Sequence, residues 1–117
     1  MSVLIICEKP SVAKTVALAL GAAEQKDGYL SGDGLLVSWC IGHLISMADA
    51  GIYDKRYKKW RYEDLPILPE PFRYAPIPGK EAALDNVKRL MAREDVTEIV
   101  NACDAGREGE LIFRLVY

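Results

Sequence analysis

The sequence predicts an α/β fold with a mostly parallel central sheet flanked by helices. Two short apolar runs, VLIIC at 3–7 and TEIVNAC at 97–103, are continuous in the way that strands buried in a parallel sheet are. A helical pattern follows each run, and an amphipathic segment at 80–94 comes directly before the second run. Strands that alternate with helical segments are typical of β-α-β units, in which the strands run parallel.

The first strand leads into a helix whose limits are marked in the sequence. Pro10, in the segment EKPS, is suited to the first turn of a helix, and Gly21 is suited to its end. Between them, apolar residues recur at helical spacing. We therefore expect one face of this helix to pack inward through Val12, Val16 and Leu20.

The middle of the chain is predicted to hold a β-hairpin and an extended crossover. Residues 29–31 and 35–40 resemble strands and flank the turn sequence GDG. The next segment, IGHLISMAD, is predicted to be a loop with one short helix. All prolines except Pro10 fall within 63–80, which excludes a long helix there, so we expect extended chain with FRYAPI as an edge strand.

The last part of the chain is predicted to be helix, strand and helix. The helix at 80–94 is amphipathic, with one apolar face formed by Ala83, Val87, Leu90 and Met91. The strand at 97–103 follows it directly. From about Gly106 a second helix is expected to carry its apolar residues inward, namely Leu111, Ile112 and Leu115.

The composition is that of a single domain with no membrane segment. The chain has 117 residues, a common size for one domain. No apolar run approaches the roughly 20 residues that a membrane helix needs. The formal net charge of −2 gives no general attraction for nucleic acid, so binding of that kind needs a local patch. Cys7, Cys40 and Cys103 form no CxxC pair and are expected to be buried thiols of a cytoplasmic protein. His43 is expected to be a structural hydrogen-bonding group, and the alternative is that it has a functional role.

Three carboxylates follow the ends of the two predicted parallel strands. Glu8 comes directly after the first strand, Asp104 after the second, and Glu108 four residues later on the same side of the next helix. The carboxyl ends of neighbouring parallel strands meet at one edge, where α/β sheets bind ligands. Carboxylates in contact repel each other, and a set of oxygen ligands without histidine or cysteine favours Mg²⁺. The alternative is that these acids only interact with helix dipoles.

Residues 53–62, YDKRYKKWRY, alternate basic and aromatic side chains. Basic groups contact the backbone of nucleic acids, and aromatic rings stack on unpaired bases. Lys58, Lys59, Trp60 and Arg61 are therefore candidate nucleic-acid contacts. The alternative is that Trp60 and the tyrosines anchor a long loop to the domain, while the lysines only keep it in solution.

The segments IICEKPSVAKTVALAL and NACDAGREGELIFR closely resemble the Toprim domain of type IA DNA topoisomerases, in particular the bacterial topoisomerase III branch. The segment between them, VSWCIGHLISMADAGIYDKRYKKWRYEDLPILP, resembles the same family in the same order. The resemblance implies a single Toprim domain over 1–117, with Mg²⁺ and a scissile DNA phosphate at the acidic edge of the sheet. It also implies an enzyme that cleaves one strand through a 5′-phosphotyrosine, passes another strand and reseals the break, for relaxation or decatenation.

The resemblance implies roles for residues that follow both strands. Glu8 matches the strand-end glutamate, which is implied to bind metal and to exchange a proton with the 3′ oxygen. Lys9 matches the adjacent lysine, whose ammonium would stabilise charge on the phosphate. Asp104 and Glu108 match the first and last acids of the DxDxE motif and are implied metal ligands.

The acidic motif departs from the family pattern at one position. Gly106 stands where the family has the middle acid. The departure removes one carboxylate and implies that Mg²⁺ binds more weakly, or through water, and puts a second metal in doubt. Arg107 matches the arginine of the motif and is implied either to contact a phosphate or to order the acids by a salt bridge.

The nucleophilic tyrosine of the family lies in a domain well beyond the Toprim segment, and none of the six tyrosines here stands in its motif. The resemblance therefore implies a fragment of a multidomain enzyme that acts on DNA, preferably single-stranded segments, in the bacterial cytoplasm at the nucleoid. We expect the 117 residues alone neither to cleave nor to relax DNA. The alternatives are a Toprim nuclease or primase domain, which needs no distant tyrosine, and a metal-free structural or DNA-binding module.

Overall fold

Strands and helices alternate along most of the chain. The computed structural model describes all 117 residues. In chain order the elements are β1 (Ser2–Cys7), α1 (Pro10–Ala19), β2 (Glu24–Lys26), β3 (Tyr29–Gly32), β4 (Leu35–Trp39), β5 (Ile45–Met47), α2 (Ala50–Tyr53), β6 (Tyr74–Pro76), α3 (Glu81–Met91), β7 (Val96–Ala102) and α4 (Arg107–Val116). Two 3-10 turns, Lys55–Lys58 and Tyr62–Asp64, lie between α2 and β6.

A five-stranded sheet in the order β2-β3-β4-β1-β7 forms the centre of the molecule. β1 is parallel to both of its neighbours, so that Cys7 lies opposite Trp39 of β4 and Ala102 of β7. β2 and β3 extend the sheet as antiparallel strands. The predicted α/β class is confirmed. The predicted hairpin is also present, although its second strand joins β1 as well.

Helices cover both faces of the sheet. Leu4 and Ile6 of β1 point to a core shared with α3 and α4, whereas Ile5 and Cys7 point to a core shared with α1. Successive strand residues alternate between faces, so a strand covered on both sides is apolar throughout, which explains the continuous run. None of the four α-helices has both the length and the apolar character needed to cross a membrane.

Two of the residues predicted to face inward are exposed. Leu20 caps α1 and is 48% exposed, whereas Val12 and Val16 are partly buried against the core as predicted. Ala13 and Ala17 are fully buried, and their small side chains permit a close approach to the sheet. Leu111 of α4 is 44% exposed. The face of α4 that packs on the sheet is rotated from the predicted one, and its large buried residues are Ile112, Phe113 and Val116.

The segment from 45 to 77, here called the arm, lies outside the main sheet. β5 and β6 pair antiparallel with each other in a separate two-stranded ribbon. No residue between Leu44 and Leu84 is buried. The radius of gyration is 17.4 Å, against about 13 Å for a compact chain of this length. The strand predicted in FRYAPI is present as β6, but it does not lie at an edge of the main sheet, and IGHLISMAD contains the unpredicted strand β5.

A charged cluster ties the amino end of β1 to the α3–β7 connection, at the edge opposite Glu8 and Asp104. The Arg93 guanidinium donates to both carboxylate oxygens of Asp95, at 2.8 and 2.9 Å, and the Ser2 hydroxyl donates to the same carboxylate at 2.8 Å. Arg93 also donates to the Tyr29 hydroxyl at 3.3 Å. The cluster joins the start of β1, the start of β3 and the α3–β7 connection.

The three thiols are free, and two of them are buried. Cys7 and Cys40 are buried as expected, whereas Cys103 is half-buried. Burial raises the pKa of the Cys40 thiol to about 11 and that of Cys103 to about 12. Thiols with such values are protonated at neutral pH and are poor nucleophiles.

Candidate active site

Three parallel strands end at the same edge of the sheet, and each is followed by a side chain able to carry out chemistry. Glu8 follows β1, Asp104 follows β7, and His43 lies in the loop after β4. The loop is tied to the end of β1, because the Gly42 N–H donates to the Glu8 carbonyl at 3.2 Å. The edge therefore gathers residues from three strands, whereas the sequence predicted only two.

The side chains of Glu8 and Asp104 meet, as expected for residues at the ends of neighbouring parallel strands. A hydrogen-bonding contact with the Asp104 carboxyl is the largest effect that raises the pKa of Glu8, followed by burial and by the charge of Asp104. The Lys9 ammonium acts in the opposite direction. Two carboxyls in such contact share a proton or, above the raised pKa, repel each other.

One carboxylate oxygen of Glu8 has no partner. Its Oε2 atom is shielded from solvent and accepts no hydrogen bond. A buried carboxylate oxygen without a donor is costly, and such atoms mark positions where an ion, a water or a ligand binds. The donor set at this point, two carboxyl groups, suits a hard divalent cation. Glu8 and Asp104 therefore have the chemistry of two ligands of a divalent cation.

Glu108 does not join the pair of acids in this conformation. Its carboxylate contacts the Nε2 atom of His43, and its side chain is 72% exposed. No three histidine, cysteine, aspartate or glutamate side chains are grouped closely enough to hold a metal. The structure thus brings together two of the three acids that the sequence singles out, and places the third beside the only histidine.

The loop that carries His43 is held by Lys80, a residue that the sequence did not single out. The Lys80 ammonium donates to the carbonyls of Ile41 and His43, at 2.7 and 3.0 Å. Lys80 lies at the start of α3, so this helix fixes the loop across the sheet edge. Nothing in the local sequence around Lys80 indicates that its ammonium binds these two carbonyls, which lie about 40 positions away in the chain.

Gly109 explains why a small residue is needed in the segment AGREG. A Cβ atom at position 109 would lie 2.1 Å from the carbonyl oxygen of Asp104 and 2.8 Å from its nitrogen. The first turn of α4 therefore rests directly on the backbone of Asp104. Gly106, by contrast, has an extended φ of −172° and no atom within 4 Å of an added Cβ. Only Gly109 is required by packing.

The two basic residues of the motifs are exposed beside the acids. Lys9 caps α1, with its backbone extended, and its side chain is open to solvent. Arg107 begins α4 and is also exposed. The chain's ion pairs include neither of them. The resemblance implies either a phosphate contact or a salt bridge with the acids for Arg107. The salt bridge is absent from this conformation.

The basic and aromatic residues of 53–62 lie in the arm. Tyr53 anchors the segment, because its hydroxyl accepts from the Arg73 N–H at 2.7 Å, and Tyr57 accepts from Arg56 at 2.9 Å. Trp60 is 79% exposed and anchors nothing. The contacts of both tyrosines thus stay within the arm and do not tie it to the main sheet. Lys58, Lys59 and Arg61 are exposed and outside the ion pairs.

Comparison with known proteins agrees with this architecture. Residues 3–117 match the family model of the Toprim domain. The chain is 45% identical over 113 residues to the DNA topoisomerase 3 of Bacillus thuringiensis (strain Al Hakam), and 43% identical over the same length to that of Bacillus subtilis (strain 168). Each match covers 97% of this chain and 16% of the relative, so the chain spans about a sixth of their length. The chain belongs to the Toprim domain family, as its motifs predict.

Proposed function

We propose that the chain is the Mg²⁺-binding Toprim domain of a topoisomerase III-like type IA DNA topoisomerase. The observation that carries the proposal is the unpartnered, solvent-shielded oxygen of Glu8 beside the carboxyl of Asp104. The homology to bacterial DNA topoisomerase 3 proteins supports it. The activity would belong to a longer protein, which cleaves one DNA strand through a 5′-phosphotyrosine and reseals it for relaxation or decatenation.

Glu8 and Asp104 would hold the Mg²⁺ ion, and Glu108 would join them through water or after release from His43. When bound, the ion would neutralise charge on the scissile phosphate. Two carboxylates plus waters and substrate oxygens make an ordinary magnesium site in proteins. The glycine at position 106 leaves room for such waters, because nothing lies within 4 Å of an added Cβ there.

The neighbouring side chains would serve the cleaved phosphodiester directly. The pKa of Glu8 is raised by Asp104 and by burial, so its carboxyl can carry a proton to the departing 3′ oxygen and take it back on resealing. The exposed ammonium of Lys9 would stabilise negative charge that develops on the phosphate. Arg107, exposed at the start of α4, would contact a flanking phosphate.

The arm would add contacts to the DNA strand. Lys58, Lys59 and Arg61 would contact its backbone, and Trp60 would stack on its bases, which requires single-stranded segments. The remaining domains of the longer protein would supply the nucleophilic tyrosine. Its place of action would be the DNA of the bacterial nucleoid, in the cytoplasm.

A titration with MgCl₂ followed by amide NMR tests the metal site. We expect chemical-shift changes centred on Glu8 and Asp104, and their loss in Glu8→Gln and Asp104→Asn. Glu98→Gln on β7 removes an equally negative but exposed carboxylate away from the site, and should leave the changes intact. Changes that persist in both site variants would refute the proposed ligands.

An assay on supercoiled and single-stranded DNA separates the candidate activities. We expect the 117 residues with Mg²⁺ to produce neither relaxation nor cleavage, because the nucleophilic tyrosine would belong to another domain of the proposed enzyme. Relaxation by this chain alone would contradict the proposal. Cleavage of single-stranded DNA that disappears in Asp104→Asn would instead identify a Toprim nuclease.

A further inference from the structure

The side chain of Trp60 lies between two clefts of the arm and lines both of them. On one side is an apolar cleft of about 370 Å³, lined among others by Met47, Tyr53, Leu65 and Phe72. On the other side is a cleft of about 380 Å³, lined by residues of α2 together with Tyr57 and Lys58. The indole ring borders both clefts and is 79% exposed. A planar aromatic ligand can therefore reach it without any rearrangement of the chain.

We propose that the apolar cleft beside Trp60 is a binding site for one unpaired nucleobase of a DNA strand, stacked on the indole. The size of the cleft is within the range of small-ligand sites, which are mostly apolar. Every base has a flat aromatic face, and stacking on tryptophan is tolerant of sequence. The inference rests on the proposed function, since it takes single-stranded DNA as the substrate.

The two clefts beside Trp60 differ in charge. Asp49 is the one charged residue in the lining of the apolar cleft, and it borders the second cleft as well, where Lys58 adds a positive charge. Lys58 lies on the other side of Trp60, where its Cγ would be 2.8 Å from a Cβ at Gly51. This packing holds the lysine stem along α2, in the lining of the cleft that Trp60 also borders. A phosphate next to the stacked base would meet the Lys58 ammonium.

The other two candidate cations project differently. The backbone is extended at Lys59 and at Arg61, with φ of −112° and −115°. Side chains of successive residues in extended chain point to opposite sides. In agreement with this alternation, Lys59 and Arg61 line neither of the two clefts that Trp60 borders. Among the cations of this segment, Lys58 is the one placed to act together with the ring.

A groove between the arm and α4 lies near the Trp60 cleft. Its volume is about 430 Å³, and its lining includes both His43 and Met47. Met47 also lines the Trp60 cleft. The Trp60 cleft and the groove beside His43 therefore share one lining residue of the arm.

Indole NMR gives a direct test on the 117-residue chain, which contains only two tryptophans. We expect a single-stranded oligothymidylate to shift the indole signal of Trp60 more strongly than that of Trp39, which lies at the end of β4 opposite Cys7. An abasic oligomer of the same length, and a duplex, should produce little shift at Trp60. Equal shifts with the abasic oligomer would overturn the base site, because they would show that backbone charge alone is bound.

Matched variants separate stacking from general attraction. Trp60→Leu should bind the oligothymidylate roughly tenfold more weakly. Tyr62→Leu, which removes a neighbouring ring that is 91% exposed and outside the cleft, should bind normally. Lys58→Met should weaken binding more than Lys59→Met, although both remove one positive charge. Equal losses of affinity for Trp60→Leu and Tyr62→Leu would refute the proposed geometry. Equal losses of affinity for Lys58→Met and Lys59→Met would also refute it.

The same titration distinguishes this inference from the proposed function. In the Glu8→Gln/Asp104→Asn double variant without Mg²⁺, the Trp60 signal should still shift with the oligothymidylate, because the cleft needs no metal. Metal binding without any Trp60 shift would leave the metal site standing and overturn the base site. In that event the exposed apolar cleft would be assigned to a polypeptide partner.

Discussion

The imidazole of His43 contacts the carboxylate of Glu108, although 65 positions separate them in the chain. The contact joins the loop after β4 to the first turn of α4, across the edge where Glu8 and Asp104 meet. Because of this contact the Glu108 carboxylate faces His43. Glu8, Asp104 and Glu108 do not form a group of three acids that could hold a metal. In the proposed metal site, His43 would therefore compete with the ion for Glu108, and Lys80 holds the His43 loop in place.

Replacing His43 with phenylalanine should make Glu108 available and strengthen Mg²⁺ binding. An exposed ion pair is worth at most about 1 kcal/mol, so the gain should be no more than about fivefold. Affinity can be measured from the amide shifts of Asp104 during a MgCl₂ titration. The His43→Phe/Glu108→Gln double variant is the control and should show no gain. A gain that survives in the double variant would exclude Glu108 as its source.

Gly109 and Gly106 should respond in opposite ways to alanine. Gly109→Ala forces a methyl group against the Asp104 carbonyl, 2.1 Å away. Overpacking of this kind costs about 1–3 kcal/mol, and a backbone neighbour cannot move aside easily. Gly106→Ala meets open space and extended backbone and should be nearly neutral. Urea unfolding of both variants measures the difference, and equal stabilities would contradict the close approach of α4 to Asp104.

The acidic pair could be predicted from the sequence because its determinants are local. Each acid directly follows an apolar run that is continuous enough to identify a strand buried on both faces. Parallel neighbours end at the same edge, so the positions of Glu8 and Asp104 follow from strand order alone. Only the assumption that β1 and β7 are adjacent was needed, and the structure confirms it.

The rest of the site could not be predicted because it depends on packing between distant segments. His43 reaches the edge only because β4 pairs with β1 as well as with β3, and a hairpin pattern shows only the second pairing. Gly109 is required by one carbonyl oxygen of another residue, which no local pattern reveals. Val12 and Val16 of α1 do pack against the core as predicted, whereas Leu20 was wrongly placed there because the small Ala13 and Ala17 fill the gap to the sheet.

Without Mg²⁺, the stability of the protein should fall as the pH rises above the ordinary Glu8 value. The contact with Asp104 raises the pKa of Glu8 above 4.5 in the folded state. The folded chain then holds this proton more tightly than the unfolded chain. Its contribution to stability is complete below pH 4.5 and is lost as the pH passes the raised pKa. The melting temperature should fall with rising pH in this range for the wild type and not for Glu8→Gln. The same pH dependence of the melting temperature in both proteins would contradict this prediction.

Asp95 should produce the opposite dependence, at lower pH. Hydrogen bonds from Arg93, and then from Ser2, hold the pKa of Asp95 far below its ordinary value of 3.8. A lowered carboxyl pKa gives stability that is present above 3.8 and is lost as the pH falls toward the folded value. Asp95→Asn should be less stable than the wild type at pH 6, with a difference that narrows below pH 4. Glu94→Gln, which removes an adjacent exposed carboxylate, should show no such convergence.

Introducing an acid at position 106 should strengthen the metal site and weaken the metal-free fold. Position 106 is open and extended, so an aspartate fits without strain. A carboxylate about 4 Å from a divalent ion in water contributes about 2 kcal/mol, so Gly106→Asp should bind Mg²⁺ roughly tenfold or more tightly. Without the ion, the added charge repels Asp104 and should lower the melting temperature. Gly106→Asn has the same shape without the charge and should do neither, since both effects arise from the negative charge alone.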